Sequence, residues 1–129
     1  MVAIDTNVIV RFLTRDDENQ YLKAFAVFQK KDVFIPETVI LETEWVLRYA
    51  YQFDPEEICD AFTKLFGLRN VYLSNPHANL LAIEWHRKGL DFSDALHLAL
   101  SRQHAKFYSF DARFVKKAKG LCGCLVVKP

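Results

Sequence analysis

Val2-Ala3-Ile4-Asp5-Thr6-Asn7 sets the reading of this chain: three apolar residues, then a carboxylate, a hydroxyl and an amide. A short apolar run bounded by turn-forming residues reads as a buried strand that stops abruptly. Asp5 then stands at the strand's carboxyl end. In open α/β sheets ligands bind at that edge, where the strand order switches direction, so an acid there is a candidate for chemistry. Aspartate also closes turns by bonding its own backbone two residues on, and the stretch alone fits either use.

The same grammar repeats downstream. Val33-Phe34-Ile35, Asn70 to Leu73, Phe107 to Phe110 and Leu121 to Val127 read as further short strands, with Cys122 and Cys124 as strand residues of the last. Val8 to Leu13 reads as a short helical turn. A helix capped by Asp16 or Asp17 follows, with Tyr21, Ala24, Phe25 and Phe28 at three- and four-residue steps. Thr38 to Tyr51 forms an apolar helix, and Asp54-Pro55-Glu56-Glu57 is a strong helix start. Pro76 opens an amphipathic surface helix through Arg87, stopped at Gly89. A nearly apolar, hence buried, helix follows Leu90, and Ala112 to Lys119 forms a basic one. Helices alternating with strands predict an α/β fold: a three-layer α/β/α sandwich with a central, mostly parallel sheet of four to five strands.

At 129 residues the chain is expected to form a single domain, residues 1–129. Half of it is apolar, including 11 Phe, which excludes disorder. The net charge of +1 carries no bulk signature of a nucleic-acid binder. Three cysteines and no apolar leader point to a reducing cytoplasm, and no apolar run reaches the roughly 18 residues of a membrane span.

Four acids stand apart from ordinary capping and surface pairing. Asp5 and Asp111 each follow a strand. Glu42 has Thr38, Val39, Trp45 and Val46 as helical neighbours and so sits on an apolar stripe, whereas Glu44, four residues before Arg48, reads as an ordinary surface pair. Asp94 lies on the buried helix, one turn after Asp91, which reads as its N-cap; His97 continues that face and reads as a satisfied core histidine rather than a metal ligand. Carboxylates that converge repel one another unless a divalent cation sits among them. Oxygen ligands without cysteine suit a hard ion, Mg2+ or Mn2+, which binds phosphate in the same shell. The implied chemistry is hydrolysis of a phosphate ester.

Ile4-Asp5-Thr6-Asn7, Glu42 after Ile35-Pro36, Asp91-Phe92-Ser93-Asp94-Ala95-Leu96-His97 and Ser109-Phe110-Asp111 resemble the ordered motifs of the PIN-domain family, over Ala3 to about Phe114. The length is most similar to VapC-type toxins of toxin–antitoxin pairs. The resemblance implies a Mg2+- or Mn2+-dependent endoribonuclease that cleaves RNA with a metal-activated water. It places the catalytic and metal-binding acids at Asp5, Glu42, Asp94 and Asp111, with Asp91 as an additional metal ligand or a cap. Thr6 and Asn7 would orient Asp5 or a metal-bound water, and Ser109 keeps a hydroxyl where many members have threonine. It also implies a homodimer and a cognate antitoxin in an apolar groove that Phe25, Phe28, Trp45 and Tyr49 could line.

RNA must be held by cations, with Arg11, Arg15, Arg48, Arg69, Arg113, Lys116 and Lys117 as candidates. Two other readings stay open. One is a phosphatase or phosphotransfer domain with Asp5 as covalent nucleophile, for which Asn7 stands where a second aspartate is wanted. The other is a non-catalytic module that binds RNA or protein.

Overall fold

The computed structural model describes residues 1–129, which form two compact units, Met1–Ser74 and Asn75–Pro129. The first is built on three parallel strands in the order β1 (Val2–Ala3), β2 (Val33–Phe34), β3 (Val71–Tyr72). Val2 pairs with Val33, and Val33 with Val71, so β2 is central. Val33 in β2 and Ile35 just after it are fully buried on one face, while Phe34 between them is partly covered.

Parallel neighbours need long crossovers, and helices supply them. Between β1 and β2 run α1 (Thr6–Thr14) and α2 (Glu18–Lys30). The expected short turn after β1 is thus a full helix of nine residues, because Ile9 and Val10 give it a buried face. Asp17 caps α2, accepting from the Gln20 amide at 3.1 Å. Phe12 of α1 stacks on Phe28 of α2 at 4.1 Å between ring centroids, which joins the two helices. Between β2 and β3 run α3 (Glu37–Tyr49) and α4 (Pro55–Phe66). Tyr51 lies beyond the end of α3, and its hydroxyl donates to Asp16 at 2.5 Å. Asp54 and Glu57 form a reciprocal capping box at the start of α4, as the sequence indicates.

The second unit pairs α5 (Pro76–Arg87) with α6 (Phe92–Leu100). Ala78 and Ala82 of α5 and Ala95 and Ala99 of α6 are fully buried, and such small side chains let helix backbones approach closely. Helix α5 is therefore more than a surface helix: Trp85 and His86 are buried, while Leu80 and Glu84 face water. Gly89, at φ 105°, supplies the left-handed residue that ends α5. Strands β4 (Lys106–Tyr108) and β5 (Leu125–Val127) form a separate parallel ladder with α7 (Ala112–Lys117) between them.

The α/β class and the parallel pairing match expectation, with seven helices and five strands in ladders of three and two. The last strand is shorter than the expected Leu121–Val127. Gly120, at φ 76°, opens a turn running to Cys124, so Cys122 and Cys124 precede the strand. No helix is long and apolar enough to cross a membrane.

Candidate active site

In the first unit the Ile4 amide still bonds across the ladder to the Phe34 carbonyl, and the chain leaves the sheet at Asp5. Asp5 caps α1: its Oδ1 accepts from the Thr6 amide at 2.7 Å, and the carboxylate stays exposed. Thr6 is buried, and its hydroxyl donates to Oε1 of Glu42 on α3. One residue thus ties the end of β1 to a carboxylate 36 positions later. Asn7, the other polar residue of the opening motif, is exposed and lines a cavity of about 220 Å³ with Val8 and Arg11 of α1 and Gln20, Lys23, Ala24 and Val27 of α2.

Glu42 and Glu44 exchange the environments expected of them. Glu42 is exposed, and Glu44 is 2 % exposed, with its carboxylate 3.0 Å from the Arg48 guanidinium. Taking Trp45 and Val46 as the covered face produces the wrong phase, because Trp45 is 57 % exposed. The buried stripe is Ile40, Thr43, Glu44 and Leu47, spaced as one helix face requires. Glu42 remains a candidate because of its bond from Thr6, not because of burial.

In the second unit Asp91 caps α6, its Oδ2 accepting from the Ser93 hydroxyl at 2.6 Å and from the Asp94 amide at 3.5 Å. The preceding Leu90 carbonyl is bonded to Nδ1 of buried His86 at 2.7 Å. His86, which also meets the Phe92 ring edge to face, carries no sequence motif, so its support of the Asp91 turn is visible only in the fold. Burial pushes the Asp94 carboxyl above its ordinary range, the negative charges of Asp91 and Asp111 push it further, and His97 opposes them. His97 is exposed, which corrects the core-histidine reading: α6 is not covered all round, and Leu100 is exposed too.

Asp111 caps α7, accepting from the Arg113 and Phe114 amides at 2.9 and 3.2 Å. The Ser109 hydroxyl accepts from the Asp111 main-chain amide at 3.0 Å, so Ser109 shapes the turn rather than touching the carboxylate. Asp94 therefore stands within electrostatic reach of both Asp91 and Asp111.

This donor set fits a hard divalent cation in kind, being carboxylate oxygen throughout, and the crowding felt by Asp94 is what a cation would relieve. No group of three or more His, Cys, Asp or Glu is gathered closely enough to enclose an ion.

Several candidate cations already have acids. Arg11 meets Asp16 at 2.9 Å, Arg15 meets Glu18 at 3.0 Å and Arg48 meets Glu44. Lys117 donates to the Gly89 carbonyl at 2.8 Å. Arg113 and Lys116 are exposed on α7.

Among known proteins, the family model described as PIN domain matches residues 2–120. Searches of curated proteins and of solved structures returned no match.

Proposed function

The chain belongs to the PIN-domain family, generally nucleases that act on RNA or DNA with metal ions, and from that premise we propose that it is a Mg2+-dependent endoribonuclease, with Mn2+ able to substitute, acting as a VapC-type toxin. The observation that carries this reading is the Asp94 carboxyl, which burial and then the negative charges of Asp91 and Asp111 push above its ordinary range, a displacement that a cation would relieve. Asp5, Glu42, Asp94 and Asp111 are the catalytic and metal-binding acids, with Asp91 as a further ligand. When bound, the divalent ion lowers the pKa of water and stabilises charge on the leaving oxygen. The protein holds its acids in place for this: Thr6 orients Glu42, while main-chain amides fix Asp5 and Asp111.

Thr6→Val removes the hydroxyl that holds Glu42 while nearly keeping the volume. Cleavage is expected to fall about tenfold to a hundredfold, the usual effect of losing a group that orients a ligand. A steady-state assay with a thermal melt beside it checks this; unchanged cleavage in a folded variant would free Glu42 from dependence on Thr6.

The cavity between α1 and α2 supports the second half of the reading, an antitoxin segment held in a groove, although Phe25, Phe28, Trp45 and Tyr49, expected to line such a groove, are not among its lining residues. The toxin works as a homodimer in the cytoplasm, with RNA as substrate. Incubating the purified protein with total cellular RNA and Mg2+ or Mn2+ tests the activity. Defined fragments that disappear with chelator are expected. Intact RNA, together with capture of beryllofluoride, a phosphoaspartate mimic, would favour Asp5 as a covalent nucleophile instead.

A further inference from the structure

Strand β4 has one covered face and one open face. Exposure alternates residue by residue: Phe107 and Ser109 are partly covered, whereas Lys106, Tyr108 and Phe110 face water. Phe107 packs its ring against Phe114 of α7 at 5.5 Å, so the strand is anchored by its other side. Tyr108 is 61 % and Phe110 80 % exposed. An isolated exposed aromatic needs no explanation. Here two stand two residues apart, Tyr108 as the last residue of β4 and Phe110 just beyond it, and the second immediately precedes Asp111. Phe110 is also held: the Ser109 amide bonds the Val127 carbonyl at 3.0 Å, and the Asp111 amide bonds the Ser109 hydroxyl.

Charge supplies a second, independent observation. The overall +1 hides a segregation: residues 1–74 carry eight Lys/Arg against twelve Asp/Glu, a net −4, and residues 75–129 carry nine against four, a net +5. Three of those four acids are Asp91, Asp94 and Asp111; the fourth, Glu84, lies 3.5 Å from Lys88. The second unit is thus strongly basic outside its acid cluster. Lys106 is exposed at the start of β4, and Arg113 and Lys116 are exposed on α7.

We infer that the Tyr108–Phe110 face is a stacking platform for unpaired bases of a single-stranded RNA, whose phosphates are held by Arg113 and Lys116 beside Asp111. Every base offers a π face, so stacking binds single strands with little sequence demand, and a duplex withholds its bases from such a surface. The choice of RNA rests on the nuclease reading; the choice of a single strand rests on the two exposed rings.

The test is fluorescence anisotropy with a labelled 20-nucleotide RNA of mixed sequence, free or annealed to its complement, on the Asp94→Asn protein so that the strand stays intact. Tyr108→Ala and Phe110→Ala are each expected to weaken single-strand binding about tenfold to a hundredfold, with Phe110→Trp restoring it. The salt dependence should be unchanged in these variants. Arg113→Gln and Lys116→Gln should each lower the slope of log affinity against log salt by about 0.7. Duplex RNA should bind more weakly than the single strand. Equal affinity in both alanine variants, with thermal melts unaltered, overturns the platform. If those variants also shift the protein to a smaller oligomer, the face serves a second copy instead. Metal-dependent cleavage by the unsubstituted chain is scored separately. Binding through this face without cleavage would leave the platform standing and remove the nuclease reading, and cleavage with an unchanged KM in Phe110→Ala would do the reverse.

Discussion

Asp94→Asn is expected to abolish RNA cleavage while making the protein more stable at neutral pH. The loss should be about a thousandfold or more, some 4 kcal/mol of transition-state stabilisation at roughly 1.4 kcal/mol per tenfold. The gain in stability follows from the direction in which Asp94 is displaced. Burial first, and then Asp91 and Asp111, make its ionised form unfavourable in the folded chain, so the folded state holds this proton more tightly than the unfolded state does. Stability is then lost as pH rises from the ordinary carboxylate range, about 4, through the raised native value. Asparagine is neutral throughout and escapes that loss. Melting curves without metal should show the variant above the parent at pH 7 and level with it below pH 4. A variant that melts below the parent at pH 7 would mean that Asp94 is satisfied structurally rather than strained for function.

Arg48→Met carries the largest expected cost in stability and should leave the chemistry alone. It removes the guanidinium 3.0 Å from a carboxylate that is only 2 % exposed. Breaking a buried pair by removing one partner costs about 3–5 kcal/mol. Arg48 is itself 34 % exposed, so the lower end applies, about 3 kcal/mol or roughly ten degrees in melting temperature for a chain of this size. The double variant Glu44→Leu/Arg48→Met should recover most of it, because apolar residues of similar volume replace a buried pair at little cost. Metal-dependent cleavage measured well below the melting temperature should match the parent. If Arg48→Met melts like the parent, the pair contributes no more than a surface bridge.

Glu42 and Glu44 also show where sequence reading reaches its limit. Their order along α3 is plain, but the face on which each lies depends on the phase of a helix whose residues are mostly apolar. Trp45 and Tyr49, both exposed, mimic a core stripe. The Thr6 bond to Glu42 spans 36 residues and has no local signature. By contrast, Asp5, Asp91 and Asp111 were legible as the residues that end a strand or start a helix, since capping is a local matter, and all three are caps in the fold. The parallel pairing was legible, because helices alternate with short apolar runs along the chain, and all three strand pairs are parallel. The charge segregation was hidden by a summed charge of +1 and emerges once the chain is divided at Ser74.

The most direct test of the carboxylate assignment is calorimetric titration of Mn2+ into the purified chain, the Asp5→Asn variant and the Asp94→Asn variant at neutral pH. If Asp5 and Asp94 are metal ligands as proposed, either substitution is expected to weaken the ion at least about tenfold, as the loss of a ligand should. Mn2+ bound equally well by all three proteins would contradict the account and move the metal, and with it the chemistry, away from these acids.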